Sequence, residues 1–354
     1  MPRVRVRVIA LAVAVLGFVA GSVWAAFWLS TAQAASGSLG RGINFGNMLE
    51  APVEGDWGLR LDEEFFTRAK EAGFNTVRLP VRWSNHAAPT APYRIEESFF
   101  KRVDFAIDQA FGRNLKLVLN LHHYRQLDGD ALDRNEQSVD DAVLEDRFVA
   151  IWKQIAERYA SADPHRLFFE LYNEPHGRLK PDAWNRLARR ALEAVRVSNP
   201  TRPVIIGPAE YDKTDNLWDL DLPFFDREII ATVHLYEPYQ FTHQGASWVK
   251  GADAWSNVSC CSAEQRAEIE RRLDSALTWS RWHMRPIWIG EFGSYDKADY
   301  ASRVRYTELV RKAIEAHGFK WAYWDLASHF GIFDPANHTW RAELRDALVR
   351  DPPS

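Results

Sequence analysis

The chain has 354 residues, 46% apolar and 26% charged, a globular composition that excludes a disordered chain. Lys and Arg total 44 against 48 Asp and Glu, a net charge of −4, so there is no basic field to meet a nucleic acid. Two cysteines exclude a disulfide-stapled scaffold, and the 15 tryptophans serve either as core filler, which composition alone favours, or as platforms for sugar faces.

The N-terminus reads as an address. Arg3, Arg5 and Arg7 precede an apolar run from Val8 to Leu29, and Ala32-Gln33-Ala34 follows. A charged start, an apolar stretch and an A-x-A site predict a secretory signal over residues 1–34, cut after Ala34. The run of about 22 residues also suffices to span a bilayer, so a retained membrane anchor is the alternative. Residues 1–34 hold three Arg and no acid, so the mature chain would carry 41 − 48 = −7. That charge suits a neutral substrate better than a polyanion. The expected destination is secreted or periplasmic.

From residue 39 onward short apolar runs alternate with helical stretches. Strands are predicted at Gly40–Phe45, Thr76–Pro80, Leu115–Asn120, Leu167–Leu171, Val204–Gly207, Ile229–His234, Ile287–Gly290 and Lys320–Trp324. Helices are predicted at Leu61–Ala72, Phe99–Phe111, Val139–Tyr159, Asp182–Val197, Asn216–Leu220, Ala263–Trp282, Tyr300–Ala316 and Arg341–Val349, with Gly73, Gly112 and Gly318 as stops. Short, continuously apolar strands argue for parallel β covered by helices. Eight such units predict a single-domain α/β chain, a (β/α)8 TIM barrel over residues 35–354. A doubly wound open sheet is the fallback, but no Gly-rich phosphate turn follows an early strand. No Ser/Thr/Pro-rich linker, low-complexity tract or repeat appears after residue 40.

Barrel chemistry belongs at the C-terminal strand ends. Asn44, Asn47 and Glu50 follow strand one; Arg78 lies on strand two; His122-His123-Tyr124 follow strand three. Asn173-Glu174-Pro175-His176 follow strand four, His234-Leu235-Tyr236 strand six, Glu291 strand seven, and Trp324-Asp325 strand eight. Two carboxylates stand out, Glu174 and Glu291. Facing each other across a cavity, one can protonate a glycosidic oxygen while the other attacks the anomeric carbon or activates water. Arg78 would keep Glu291 ionised, and a raised pKa would suit Glu174. His122-His123 with His234 also suggests a metal, but an adjacent pair amid aromatics suits hydrogen bonds to sugar hydroxyls better. No metal and no cofactor are expected. Adjacent Cys260-Cys261 leave two readings open, a vicinal disulfide or two free thiols.

The segments RGINFGNMLE (41–50), VRLPVRW (77–83), LHHY (121–124), LYNEPHG (171–177), HLYEPYQFTHQGASW (234–248), IGEFGSY (289–295) and WAYWDL (321–326) resemble glycoside hydrolase family 5, most closely its bacterial endo-β-1,4-glucanases. The resemblance runs from about residue 40 to 350. It implies a (β/α)8 barrel and a retaining double displacement, with Glu174 as acid/base and Glu291 as nucleophile. It further implies Asn173 on the sugar 2-hydroxyl, Arg78 and Tyr236 on the nucleophile, and His122, His123 and His234 lining the site. Trp324 would be the stacking floor, with the Trp324–Asp325 peptide often cis in such enzymes. Asn47, Glu50, His243 and Trp248 match positions of outer substrate contacts. The expected activity is a secreted endo-β-1,4-glucanase acting as a monomer on a β-1,4-linked polysaccharide, with no obligate protein partner. The alternatives are β-mannan, glucomannan, mixed-linkage glucan or xyloglucan hydrolysis by the same chemistry, a tethered enzyme of envelope glucan, and a non-catalytic carbohydrate-binding barrel. The vicinal cysteines depart from the family pattern.

Overall fold

The eight apolar runs form eight parallel strands, and the sheet they make closes on itself. The computed structural model describes residues 31–133 and 136–350. In chain order the barrel elements are α1 (Thr31–Leu39), β1 (Arg41–Asn44), α2 (Glu63–Glu71), β2 (Thr76–Leu79), α3 (Glu97–Gly112), β3 (Lys116–Asn120), α4 (Leu144–Arg158) and β4 (Leu167–Glu170). Then come α5 (Pro181–Ser198), β5 (Val204–Ile206), β6 (Ile229–His234), α6 (Ala263–His283), β7 (Ile287–Glu291), α7 (Tyr300–Ala316), β8 (Lys320–Tyr323) and α8 (Ala342–Val349). β1 pairs with β2 on one side and with β8 on the other, which completes the predicted (β/α)8 ring.

Local signals explain the helix limits. Asp62 caps α2, Asp299 caps α7, and Ser262 with Gln265 forms a capping box on α6. Gly73 and Gly318 are left-handed, as stops should be. At α3 the left-handed residue is Asn114 (φ 54°), because Gly112 is still helical. The helix expected from Val139 starts only at Leu144. Asp140 caps a 3-10 turn over Asp141–Val143 first. The short helix expected at Asn216–Leu220 is a 3-10 segment, Thr214–Asp219.

Strand alternation sorts the barrel interior into layers. Val118, Phe168, Ile205, Ile230, Trp288 and Ala322 form one buried cluster, while their chain neighbours Leu117, Leu119, Phe169, Val204, Ala231 and Ile289 belong to the larger core under the helices. Ala32, Ala35 and Leu39 of α1 join the inner cluster, so α1 packs on the barrel floor. Two residues further along their strands stand Asn120, Glu170 and Thr232, and β2 adds Arg78, all fully buried and polar. The interior is therefore apolar below and polar above, and the polar layer carries the site.

The expected cut after Ala34 falls inside α1, between Ala32 and Ala35. The Val8–Leu29 run lies outside the described residues. Among the described residues no helix is long and apolar enough to cross a membrane.

Candidate active site

A cleft of 720 Å³ opens at the C-terminal ends of the strands. Eleven of the thirteen predicted site residues line it: Asn47, Glu50, His122, His123, Asn173, Glu174, Tyr236, His243, Trp248, Glu291 and Trp324. The other two, Arg78 and His234, are buried behind its wall against the carboxylates.

Arg78 organises the polar layer. Its Nε and Nη2 donate to Glu170 at 2.7 and 2.6 Å, Nη1 to Asn44 at 2.9 Å and to Glu291 at 2.5 Å, and Nη2 to Asn173 at 2.7 Å. Asn44 donates onward to the Gly290 and Tyr323 carbonyls. A single guanidinium thus fixes side chains from β1, β4 and β7 and from the loop after β4. Burial of this ion pair is tolerable because the donors find partners.

Glu291 faces inward because β7 is irregular. Val233 pairs with Ile289 but His234 pairs with Glu291, so Gly290 is an extra residue in the ladder. Such a bulge re-aims the side chains beyond it. Gly290 has little room for a side chain, since a Cβ there would meet Thr232 Oγ1 at 2.8 Å and His234 Nε2 at 3.2 Å. Glu291 then accepts from Arg78 and, through Oε2, from the Tyr236 hydroxyl at 2.8 Å.

Glu174 leaves β4 on a left-handed backbone, φ 51°. Its Oε1 lies 2.6 Å from His234 Nδ1, and its backbone N–H donates to Asp212 Oδ2 at 2.9 Å. Asp212 is fully buried below and also lies 3.7 Å from His234 Nε2. Sequence reasoning missed Asp212, Glu170 and the cleft-lining Trp57, Tyr295 and Phe330. Asp212 ends three consecutive left-handed residues, Glu210 to Asp212, a loop path with no motif to announce it.

One oxygen or nitrogen each from Glu174, His234 and Glu291 lie within 4.8 Å of one another. Carboxylates this close suit direct attack on a carbon between them and leave little room for an intervening water. Among the described residues this is also the one trio spaced to hold a metal, whereas His122 and His123 form no such group. Arg78 already supplies a positive charge to Glu291.

Proton affinities here follow burial and neighbours. Burial lowers the His234 pKa, but Glu291, Glu174 and Asp212 outweigh it and raise it to about 9. Burial pushes Glu174 up, yet the hydrogen bond and charge of His234 bring it below the ordinary carboxylate range. Glu291 goes the other way: burial raises it more than His234 and Arg78 lower it. The ionising effect expected of Arg78 is present but does not prevail over burial. His122 and His123 are held neutral by burial first, and His243 falls to about 4 for the same reason.

The remaining positions form the walls. Trp324 stacks near-parallel with His122, ring centres 5.8 Å apart, and its bond to Asp325 is cis as the resemblance implied. His123 and Asn47 have left-handed backbones. Glu50 spends its carboxylate on the Asn47 and Met48 N–H groups, and burial raises its pKa to about 8. It shapes the loop of Asn47 as much as it faces the cleft. Trp248 is half-exposed and packs edge-on to Tyr295, with His243 nearby. Cys260 and Cys261 are joined as a vicinal disulfide.

A family model described as cellulase (glycosyl hydrolase family 5) matches residues 40–330. Endoglucanase H of Acetivibrio thermocellus is 33% identical over 322 residues, 88% of this chain but 33% of its own length. Cellulase/esterase CelE of that organism is 29% identical, with 36% of its length covered. This chain therefore spans about a third of these two relatives. Solved structures of Thermotoga maritima Cel5A agree over nearly their whole length. The complex with cellobiose is 43% identical with a TM-score of 0.85, covering 89% of this chain and 99% of that one. The complex with mannotriose is 42% identical with the same TM-score and coverage.

Proposed function

The chain belongs to glycosyl hydrolase family 5, and from that premise we propose that it is an exported endo-β-1,4-glucanase that cleaves internal bonds with retention. The observation that carries this reading is the spacing of Glu174 and Glu291, with oxygens no more than 4.8 Å apart. Retaining enzymes place the carboxyls at ~5–5.5 Å, whereas inverting ones need ~6.5–9.5 Å.

In the first step Glu291 attacks the anomeric carbon as Glu174 protonates the departing glycosidic oxygen. The bond to the leaving sugar breaks and a glycosyl–Glu291 ester forms. In the second step water attacks the same carbon, Glu174 takes its proton, and Glu291 is released. Arg78 and Tyr236 hold the Glu291 oxygens for attack. Asn173, fixed through Arg78, meets the 2-hydroxyl. Trp324 lies under the sugar at the cleavage point, and His122 and His123, being neutral, exchange hydrogen bonds with hydroxyls. His234, 2.6 Å from Glu174, stores the proton that Glu174 delivers. That arrangement reconciles a low-pKa carboxylate with the role of acid. Trp248 and His243 extend the cleft for further sugar units, and Asn47 and Glu50 shape its opposite end.

A mannan substrate is the second reading, favoured by the mannotriose complex of the T. maritima relative. Glucose and mannose differ only at C2, and one such contact discriminates by ~1–3 kcal/mol. The deciding experiment measures sugar release from carboxymethyl-cellulose and β-mannan side by side, with Glu291→Gln as control. It also follows the anomer first formed by NMR. Faster glucan release, β-anomer first and lost in the variant, supports the proposal. Faster mannan release overturns the substrate, and α-anomer first overturns the mechanism.

A further inference from the structure

Glu174 leaves β4 on a left-handed backbone, and a non-glycine residue keeps that shape only where its surroundings hold it. Both of its peptide groups are held by side chains. Its N–H donates to Asp212, and its carbonyl oxygen lies 2.6 Å from His176 Nδ1. A carbonyl can only accept, so His176 Nδ1 must carry the hydrogen. His176 does not line the cleft, and no step of the reaction proposed above uses it.

His176 is itself fixed on three sides. Its Nε2 faces Asp130 Oδ2 at 3.3 Å, and its Nδ1 lies 3.8 Å from Asp128 Oδ1. Its ring stacks on Tyr211, with centres 4.4 Å apart and planes 17° from parallel. Asp128 ends the short helix Arg125–Asp128 beyond β3, and its side chain is buried. Its Oδ2 accepts from the Tyr172 hydroxyl at 2.5 Å, and that hydroxyl accepts in turn from the Tyr124 N–H at 3.0 Å. Asp128 Oδ1 has no hydrogen bond among the described residues and is left facing His176. The backbones touch as well. The Arg178 N–H donates to the Asp128 carbonyl at 2.7 Å, and a Cβ on Gly177 would collide with that oxygen. Burial disfavours charge on His176, but Asp128, the Glu174 carbonyl and Asp130 outweigh it and raise its pKa. Burial pushes Asp128 up to about 7, against the charge of His176 and the Tyr172 hydroxyl. Apolar packing of the two loops would not need a buried acid, whose charge is costly away from water.

We propose that His176 and Asp128 are positioning residues for Glu174: Asp128, held by Tyr172, orients His176, and His176 holds the Glu174 carbonyl so that the carboxyl is aimed at the leaving oxygen. The proposal rests on the reading of Glu174 as acid/base. His176 touches no substrate and passes no proton to the sugar. It acts through the backbone of the acid, as a partner to Asp212 on the other peptide group. The chain of contacts runs from Tyr172 through Asp128 and His176 to Glu174, so the loop after β3 steadies the loop after β4.

The test compares two substrates. Soluble glucan needs a proton from Glu174 for its leaving oxygen, whereas the aryl group of dinitrophenyl β-cellobioside departs without one. His176→Leu should lose at least about tenfold in kcat/KM on glucan and less than about twofold on the aryl substrate. On the aryl substrate kcat and KM should fall together, because the glycosyl–Glu291 ester accumulates while it waits for Glu174 as base. His176→Gln, which keeps a donor, should recover most of the loss. Asp128→Asn should shift activity in the same direction, and adding it to His176→Leu should cause no further loss, since it acts through His176. Equal losses on both substrates, or none on glucan, overturn the proposal. So does a double variant whose losses multiply. Should His176→Leu not fold, Asp128→Asn, of unchanged size, carries the same comparison. A wild-type chain inactive on both substrates refutes the proposed activity instead. The positioning contact then keeps its own readout: nitrogen NMR of the folded chain should show a proton on His176 Nδ1, and a ring protonated at Nε2 alone overturns it.

Discussion

At the level of single residues, the proposed chemistry turns on the proton between Glu174 Oε1 and His234 Nδ1, 2.6 Å apart. Asp212 adds a second carboxylate beneath His234 and holds the Glu174 backbone, so it acts through both. Asp212→Asn removes one of the three acids that raise the His234 pKa, an acid itself pushed well up by burial, and so lowers the His234 value. We expect kcat to fall roughly tenfold and the alkaline limb of the pH–rate profile to move to lower pH. A variant that merely unfolds more easily, with an unmoved profile, would refute this role. Arg78→Lys should be more severe. Lysine cannot span Glu170, Glu291 and Asn173, and an unpaired buried carboxylate costs about 3–5 kcal/mol. Chemical denaturation of the variant checks that loss. Most of these side chains were legible in the sequence, because each sits in a short motif ending a strand. Asp212 was not, because its loop leaves β5 through three left-handed residues that no periodicity encodes.

At the level of elements, the β7 bulge decides where Glu291 points. Gly290→Ala should push into Thr232 and His234 and turn the strand end. We expect a loss of kcat of about 10²-fold with the fold retained, since displacements near 1 Å are that costly. Circular dichroism beside kinetics separates the two effects, and near-wild-type turnover would show that Gly290 is dispensable. The strands themselves were easy to read, because buried parallel β is a continuous apolar run. The bulge was invisible, being a matter of pairing between β6 and β7. The 3-10 turn before α4 was missed because Asp140 caps ahead of the apolar face. Trp57, Tyr295 and Phe330 reach the cleft on loops, whose paths depend on packing that no local pattern records.

At the level of the whole molecule, buried acids set the response to pH. Burial raises Glu50 to about 8 and Asp325 to about 7, so folded protein holds protons that unfolded chains have released. Their contribution therefore falls as pH rises from the unfolded values through the folded ones. His234 adds to the trend, because its ion pairs stabilise fully below the unfolded value and are lost as pH rises through about 9. Glu174, shifted down, contributes the opposite way and is lost only in acid. Thermal unfolding should show a higher Tm near about pH 5.5 than about pH 8.5, with Glu50→Gln flattening the slope. A Tm that climbs over that interval would contradict the assignment.

The seam of the barrel joins Arg41 to Trp321 and Ile43 to Tyr323, the earliest strand to the last. Until β8 has been made, β1 has an open edge, and closing the ring brings together residues 321 − 41 = 280 positions apart. Loop closure over such a distance is slow relative to local helix formation. A ribosome therefore releases nearly the whole polypeptide before the ring can shut. For the exported enzyme proposed above, that delay would leave the ring open while its later strands are still being made.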